Sequence, residues 1–248
     1  MNRTKVSFLI AFALLLALAT ASAQKADKKW TEWSKKDAQK ILDDSAWGLT
    51  QTDTDTSEMF FSPTGSPGAG PTKEQRDVNT DRSITGAVNQ SVNVKFHVRF
   101  FSARPIRQAL ARMMVLQQNL APDQTEKLKA FAELKSTSSI IVTVSFESTD
   151  QRYSGVAMQA FNSAITASMK NNTYLQRSDG KQLFLEEYVP PGKDGFGARF
   201  IFPREMDGQP YITDKFAEVR FYAKYPDGIK IDRRFKIAQM MYEGALEY

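Results

Sequence analysis

The sequence predicts an α+β fold: a mostly antiparallel sheet with three or four helices packed on one face, preceded by a short N-terminal helix. In residues 92–100, apolar and polar side chains alternate with the period of two that is typical of a half-buried strand. Helical patterns are grouped between such strands, and the C-terminal third holds only strands and turns. This grouping favours α+β architecture over regularly alternating strands and helices.

Residues 1–23 have the three parts of a secretory signal peptide. Arg3 and Lys5 form a basic start, Val6–Ala19 form an apolar run, and Ala21–Ala23 form a small-residue cleavage site. The apolar run is shorter than the roughly 20 residues that a transmembrane helix needs. We therefore expect cleavage before Gln24, an exported (periplasmic or extracellular) protein, and no transmembrane segment after signal removal.

Charge and cysteine content limit the class of protein further. The formal net charge is +5, and it falls to +3 when Arg3 and Lys5 are removed. This balance is too mild to indicate a nucleic-acid partner. The chain has no cysteine, so an exported fold without disulfides must be held together by packing.

The first segment, residues 24–61, contains a short helix and all three tryptophans. Ser34 followed by Asp37 has the form of a capping box, and Trp33 precedes it where a hydrophobic staple forms. We interpret Trp30, Trp33 and Trp47 as packing residues around this helix. The alternative is a binding role, with Trp30 as an exposed aromatic platform for sugars, peptides or a protein partner.

A Pro- and Gly-rich stretch separates this segment from the main domain. Residues 49–61 are predicted to be extended, with threonine on alternate positions, and residues 62–80 are predicted to form a flexible loop. The main α+β domain is then residues 81–248.

Within the main domain, the pattern predicts helices in the following order. One helix begins at Pro105 and a second begins near Pro122, and together they form a helical hairpin before a strand at 138–148. A further helix is predicted over 155–170. The YPDG sequence at 225–228 predicts a tight turn between two long alternating strands.

Lys95, His97 and Arg99 share the polar side of the strand at 92–100, so we predict that they face solvent or a ligand. His97 is the only histidine, and without cysteine one chain cannot assemble a zinc site of the usual ligands. We expect a solvated histidine. A catalytic base is the alternative, and it would be favoured if His97 lay in a cleft, bonded to an acid and close to a serine or threonine hydroxyl.

Other polar motifs do not complete a known site. Residues 53–58 carry alternating carboxylates but lack the glycine and acid pattern of an EF-hand loop. Glu186 and Glu187 are adjacent on a predicted strand and point to opposite faces. Residues 192–197 lack the ending of a phosphate-binding loop. The sequence therefore predicts no catalytic residues, no metal site and no cofactor.

Both ends of the mature chain carry a resemblance. The opening W-x-x-W-S-x-x-D-A-x-K-x-L-x-D-S-x-W, from Trp30 to Trp47, and the closing YPDGIKIDRRFKIAQMMYEGALEY resemble a family of exported bacterial proteins of unassigned function. The resemblance implies export and a shared fold, and it implies no activity, cofactor or functional residue.

We therefore expect a non-catalytic protein of the bacterial cell envelope that acts by binding or assembly, with an envelope protein or polymer as its partner. The alternative is a hydrolase of envelope polymers that uses carboxylates scattered along the sequence.

Overall fold

The computed structural model describes residues 28–55, 92–135, 137–148 and 151–248. The predicted signal peptide, 1–23, and the predicted loop, 62–80, lie outside these residues. The described part has α-helices and antiparallel sheets, so the predicted α+β class is confirmed.

The α-helices are α1 (Lys35–Asp43), α2 (Arg104–Gln117), α3 (Pro122–Ala132), α4 (Gln151–Ser163) and α5 (Thr166–Met169). The strands are β1 (Gly48–Asp55), β2 (Val92–Phe100), β3 (Ser139–Ser148), β4 (Thr173–Arg177), β5 (Gln182–Phe184), β6 (Glu187–Val189), β7 (Ala198–Pro203), β8 (Glu205–Met206), β9 (Gln209–Pro210), β10 (Glu218–Lys224), β11 (Lys230–Lys236), β12 (Met241–Tyr242) and β13 (Ala245–Leu246). Within the described ranges, every helix is too short or too polar to cross a membrane.

Helix α1 begins at the predicted capping box. The Asp37 amide donates to Ser34 Oγ at 3.2 Å, and the Ser34 amide donates to Asp37 Oδ2 at 3.0 Å. Trp33 and Ala38, the two staple positions, are both buried. Local sequence alone therefore determines where this helix starts.

The first sheet has the strand order β1-β2-β3-β7-β6, and all neighbouring strands are antiparallel. Val94, Phe96, Val98 and Phe100 of β2 are buried on one face, as their alternation predicts. Helix α1 lies against the other face, where it contacts β1 and β2.

The second sheet has the order β11-β10-β4-β5 and is also antiparallel. Its β10-β11 hairpin, at one edge of the sheet, turns at the predicted YPDG sequence. The Gly228 amide donates to the Tyr225 carbonyl oxygen at 3.0 Å, and Gly228 has φ +98°. This left-handed backbone favours glycine at the last turn position.

The two sheets face each other across a core of aromatic rings. Phe100 meets Phe235 at 4.8 Å between ring centroids, and Phe200 meets Phe221 at 5.1 Å. The apolar face of the first sheet is thus covered by a second sheet as well as by α4, because the C-terminal strands have an apolar face of their own to bury.

The edges of the two sheets meet at β1 and β11. The Gln51 side chain donates to the Lys230 carbonyl oxygen at 2.8 Å and accepts from the Asp232 amide at 2.9 Å. It therefore provides β11 with the donor and acceptor that a neighbouring strand would supply. We call this junction of β1 and β11 the seam.

Helices α2 and α3 form the predicted hairpin, and each has its proline in the first turn. The buried Arg107 ties the hairpin together by donating to the carbonyl oxygens of Ser102 and Leu134. The predicted helix at 155–170 is divided into α4 and α5 by an extended backbone at Ile165 (φ −128°, ψ 161°). Ile165 itself is exposed.

Gly48, where α1 turns into β1, should tolerate no side chain. A Cβ there would overlap the Leu42 carbonyl oxygen and lie 2.8 Å from that of Ile41. We expect Gly48→Ala to lower the free energy of unfolding by about 1 to 3 kcal/mol in urea denaturation. Gly155→Ala is the matched control, because a Cβ on this exposed residue of α4 meets no atom within 4 Å. It should be neutral or stabilising by about 0.5 to 1 kcal/mol, and equal effects of the two variants would contradict this reasoning.

Candidate functional site

The C-terminal end of α1 lies over β2 and gathers a group of polar side chains. We call Asp43, Thr50, His97, Arg99 and Ser145 the His97 cluster. His97 lies opposite Thr50 of β1 and Ser145 of β3, and it is 9% exposed.

The His97 ring is held through one nitrogen. Its Nδ1 is 3.1 Å from Asp43 Oδ1 and 3.1 Å from Thr50 Oγ1. The Thr50 hydroxyl donates to the Asp43 carbonyl oxygen at 3.0 Å, so Thr50 Oγ1 accepts from the ring. This network assigns the hydrogen to Nδ1. The other nitrogen, Nε2, lies 3.8 Å from Glu147 Oε1, beyond hydrogen-bond distance.

Arg99 joins the end of α1 to β3 with its whole guanidinium group. Nε donates to the Leu42 carbonyl oxygen, Nη2 donates to Asp43 Oδ1 and Nη1 donates to Ser145 Oγ, each at 2.9 Å. A cation at a helix C-terminus satisfies carbonyl groups that lack helical partners and interacts favourably with the helix dipole.

Asp43 is held in its ionised form. Burial alone would raise the pKa of this carboxyl, but hydrogen bonds from His97, Gln39 and Arg99 outweigh burial and hold the pKa far below its ordinary value. The cluster therefore contains a permanent anion between two basic side chains.

This geometry does not form a nucleophile relay. A relay needs the acid on one ring nitrogen and the nucleophilic hydroxyl on the other. In the His97 cluster, the acid and the Thr50 hydroxyl share Nδ1, and Ser145 Oγ accepts from Arg99. The contacts instead fasten α1 to the sheet.

The predicted outward face of β2 is therefore only partly exposed. Lys95, His97 and Arg99 do share one side of the strand, but α1 covers His97 and Arg99, so the expectation of a solvated histidine is wrong. Lys95 is exposed and pairs with Glu147 at 3.1 Å. Alternation predicts which side chains share a face, and it says nothing about what covers that face.

All three tryptophans are buried, and each indole N–H is bonded within the chain. Trp30 donates to Glu133 Oε1 at 2.5 Å, Trp33 donates to the Lys28 carbonyl oxygen at 3.0 Å, and Trp47 donates to the Glu247 carbonyl oxygen at 2.8 Å. Trp30 is thus a packing residue in this structure, with no exposed platform at its position.

A row of aromatic rings with one exposed member lies elsewhere, on the outer face of the second sheet. We call Tyr174, Phe184 and Tyr222 the aromatic ridge. They form one row across β5, β4 and β10, because Tyr174 is the register partner of both Phe184 and Tyr222. The tyrosine rings stack at 5.0 Å, Phe184 meets Tyr174 at 6.1 Å, and Phe184 is 46% exposed.

Polar and basic side chains flank the aromatic ridge. Arg220 and Lys230 lie 5.2 and 5.6 Å from the centre of the Tyr222 ring, within the range of cation–π contacts. The next row of the sheet holds Arg220, Gln176 and Gln182. The face thus combines ring surfaces with amide and guanidinium donors.

The surface of the described residues has a cavity at the helical hairpin and a cavity at the seam. One of about 470 Å³ lies at the turn between α2 and α3 and has only uncharged lining residues: Val115, Gln118, Asn119, Leu120, Ala121 and Thr125. The other, of about 440 Å³, lies at the seam and is lined by Leu49, Thr50, Asp232, Arg233 and Arg234. Among the described residues, no three histidine, aspartate and glutamate side chains converge as metal ligands.

Comparison of the chain with protein-family models, with curated proteins and with solved structures gives no match.

The aromatic ridge was not predicted from the sequence. The available signal was that Tyr174 and Tyr222 occupy the outward phase of their strands, opposite the buried Leu175 and Phe221.

Asp43 should make the stability of the fold depend on pH. The pKa of Asp43 in the folded protein lies below the value of about 3.9 for an unfolded aspartate. The stabilisation that ionised Asp43 gives the fold is therefore complete above about pH 5 and is lost as the pH falls below about 4. Asp43→Asn should lower the free energy of unfolding by about 2 kcal/mol at pH 7 and flatten its pH dependence below pH 5.

The control is Asp44→Asn, which changes the neighbouring, exposed carboxylate. Urea denaturation between pH 2 and pH 7 measures both variants. A curve for Asp43→Asn that runs parallel to that of the wild type would show that Asp43 does not carry this pH dependence.

Proposed function

We propose that the protein is an exported, non-catalytic protein of the bacterial cell envelope that binds an envelope polymer through the aromatic ridge. The observation that carries this proposal is the row of three rings on the solvent face of the second sheet. Aromatic side chains at a protein surface are enriched among the residues that contribute most to binding, and folding does not require Phe184 to be exposed.

The composition of this face favours a polymer of sugar rings. Aromatic rings provide apolar surface for the C–H groups of sugars, and the side chains of Gln176, Gln182 and Arg220 provide donors for their oxygen atoms. The two tyrosines are half-buried, and Phe184 is the exposed ring. A stable protein interface buries about 800 Å² on each side, around an apolar centre. The single exposed ring of the aromatic ridge provides less apolar surface than such a centre.

The closed His97 cluster supports binding rather than catalysis. Its carboxylate, its hydroxyls and its guanidinium all bond within the cluster or to α1. A hydrolase of envelope polymers is the second candidate, because Asp43 and Glu147 lie on opposite sides of the His97 ring. In that case Nε2 would be the base that accepts a proton.

Export is part of the proposal and rests on the signal pattern of residues 1–23 and on the resemblance of the chain ends to exported proteins. We expect the mature protein to begin at Gln24. Mass spectrometry of the N-terminal peptide from the exported fraction of a bacterial host measures this. Retention of residues 1–23 in that fraction would contradict the predicted cleavage.

The binding test uses co-sedimentation with purified peptidoglycan sacculi. Phe184→Ala should weaken binding by about three- to tenfold, because it removes the exposed ring of the aromatic ridge. Phe184→Tyr should retain binding. Met241→Ala is the control, since Met241 is exposed to a similar extent (47%) but lies on β12, outside both main sheets.

Two results would contradict the proposal. If the wild type does not sediment with sacculi, or if Phe184→Ala sediments as well as the wild type, the aromatic ridge is not the binding surface. If the wild type releases soluble fragments and His97→Ala abolishes the release, the hydrolase is the better description.

A further inference from the structure

Two exposed lysines border the aromatic ridge at its Tyr222 end. Lys224 of β10 and Lys230 of β11 are register partners, and we call them the lysine pair. Lys224 lies two positions after Tyr222, and Lys230 lies two positions before Asp232, the register partner of Tyr222. Because side chains alternate along a strand, the lysine pair shares the outer face of the second sheet with the aromatic ridge.

The hairpin brings the two lysine side chains close together. The Tyr225 amide donates to the Ile229 carbonyl oxygen at 2.8 Å, so these two residues form a hydrogen-bonded pair. The next pair along the hairpin, Lys224 with Lys230, is therefore a non-hydrogen-bonded pair, the arrangement in which opposite side chains are closest. Like charges directly opposite each other are destabilising, so folding alone does not account for two ammonium groups at this position.

The carboxylate beside the lysine pair is already compensated by an arginine. Asp232 accepts from Arg220 at 2.7 and 2.6 Å through two parallel hydrogen bonds. Lys230 Nζ is 3.9 Å from Asp232 Oδ2, at the outer limit of an ion pair. Among the described residues, no carboxylate lies within 4 Å of Lys224. The lysine pair thus carries more positive charge than its described surroundings neutralise.

We infer that the lysine pair binds a phosphomonoester group of a glycan that lies along the aromatic ridge. A phosphomonoester carries a charge of about −1.5 to −2 at pH 7 and has three acceptor oxygens, so it matches two ammonium groups better than a singly charged carboxylate does. Lysine binds phosphate as a point charge. This inference rests on the proposed function and specifies the ligand as a phosphorylated glycan.

The position of the lysine pair suits a substituent on a chain that covers Tyr222. Lys230 Nζ lies 5.6 Å from the centre of the Tyr222 ring, and the pair occupies the row next to the aromatic ridge on the side of the hairpin turn. A sugar ring packed at this end of the ridge can therefore direct a phosphate toward both ammonium groups.

A single-stranded nucleic acid also combines rings with phosphates, but the aromatic ridge fits it poorly. Its bases bind by stacking on successive open aromatic faces. Tyr174 and Tyr222 are half-buried and stack on each other at 5.0 Å, so Phe184 is the one exposed ring of the ridge. Each internal phosphate of a nucleic acid also carries only one charge. A series of stacked bases therefore lacks the row of open rings that it needs.

The test compares a mannan that carries phosphomonoesters with the same mannan after alkaline phosphatase treatment, which removes the phosphate and keeps the backbone. By isothermal titration calorimetry at constant salt concentration, the wild type should bind the phosphorylated form about tenfold more tightly than the neutral form. Inorganic phosphate alone should bind at least about a hundredfold more weakly than the phosphorylated mannan, because it makes no contact with the rings.

Substitution of the lysine pair should remove this preference and leave the fold intact. A double variant, Lys224→Gln with Lys230→Gln, should reduce the ratio of the two affinities to below about twofold and leave binding of the neutral mannan unchanged. Lys236→Gln is the matched control, because Lys236 is an exposed lysine on the same face of β11 but lies opposite Glu218, away from the ridge row. It should keep the full preference.

Two further measurements separate binding from folding. In urea denaturation, the double variant should have a midpoint equal to or above that of the wild type, because it removes a contact between like charges. A lower midpoint would contradict the inference, since it would give the lysines a structural role. Phe184→Ala should weaken binding of both forms of the mannan, because both forms contact the exposed ring.

The outcomes distinguish failure of this inference from failure of the proposed function. If both forms of the mannan bind equally, or if the double variant keeps the preference, the lysine pair is not a phosphate site, while binding at the aromatic ridge stands. If neither form binds, the inference fails, and co-sedimentation with sacculi decides the ridge separately.

Other ligands provide the remaining outcomes that would overturn the inference. If inorganic phosphate binds as tightly as the phosphorylated mannan, the lysine pair is a site for free phosphate. If polygalacturonate binds as tightly and loses as much affinity in the double variant, the site recognises charge rather than phosphate. Tighter binding of oligodeoxythymidine, or of phosphatidylglycerol vesicles, than of the phosphorylated mannan would favour a nucleic acid or a lipid surface instead.

Discussion

The aromatic packing between the two sheets is the interaction on which the other features depend. The chain has no cysteine, so contacts such as Phe100 with Phe235 and Phe200 with Phe221 must hold the sheets together. This packing brings the edge of β1 next to the edge of β11, where Gln51 joins them. It also directs the other face of the second sheet toward solvent, so the seam cavity and the aromatic ridge are both consequences of it.

The buried polar contacts of the first sheet have a different role. Arg99 and His97 replace the water that would otherwise hydrate Asp43 and the last carbonyl groups of α1. These charges can be buried only because each has a partner of opposite charge or a hydrogen-bond partner. Removing one partner leaves the remaining buried charge uncompensated. The cluster thus determines where α1 lies on the sheet. A histidine between an acid and a hydroxyl can therefore be structural when both partners occupy the same ring nitrogen.

The features that the sequence predicts are those determined by neighbouring residues. The capping box at Ser34, the turn at Gly228 and the alternation of β2 each depend on a few consecutive positions. The aromatic ridge depends on which strands pair and in which register, since Tyr174 and Tyr222 are far apart in the sequence. The burial of His97 likewise requires the position of α1. The tryptophans, which the sequence offered as an alternative binding surface, are core residues, and the exposed ring of the aromatic ridge is Phe184.

The His97 cluster and the aromatic ridge differ in how far their side chains are already covered and bonded within the chain. Around His97, the carboxylate, hydroxyl and guanidinium groups are bonded within the chain, and the ring that carries the unbonded Nε2 is 9% exposed. On the outer face of the second sheet, by contrast, the Phe184 ring remains exposed beside the half-buried Tyr174 and Tyr222. Folding does not need an exposed ring, and exposed apolar surface lowers solubility. The exposed ring is explained if a ligand covers it, which is the physical argument for the proposed binding role.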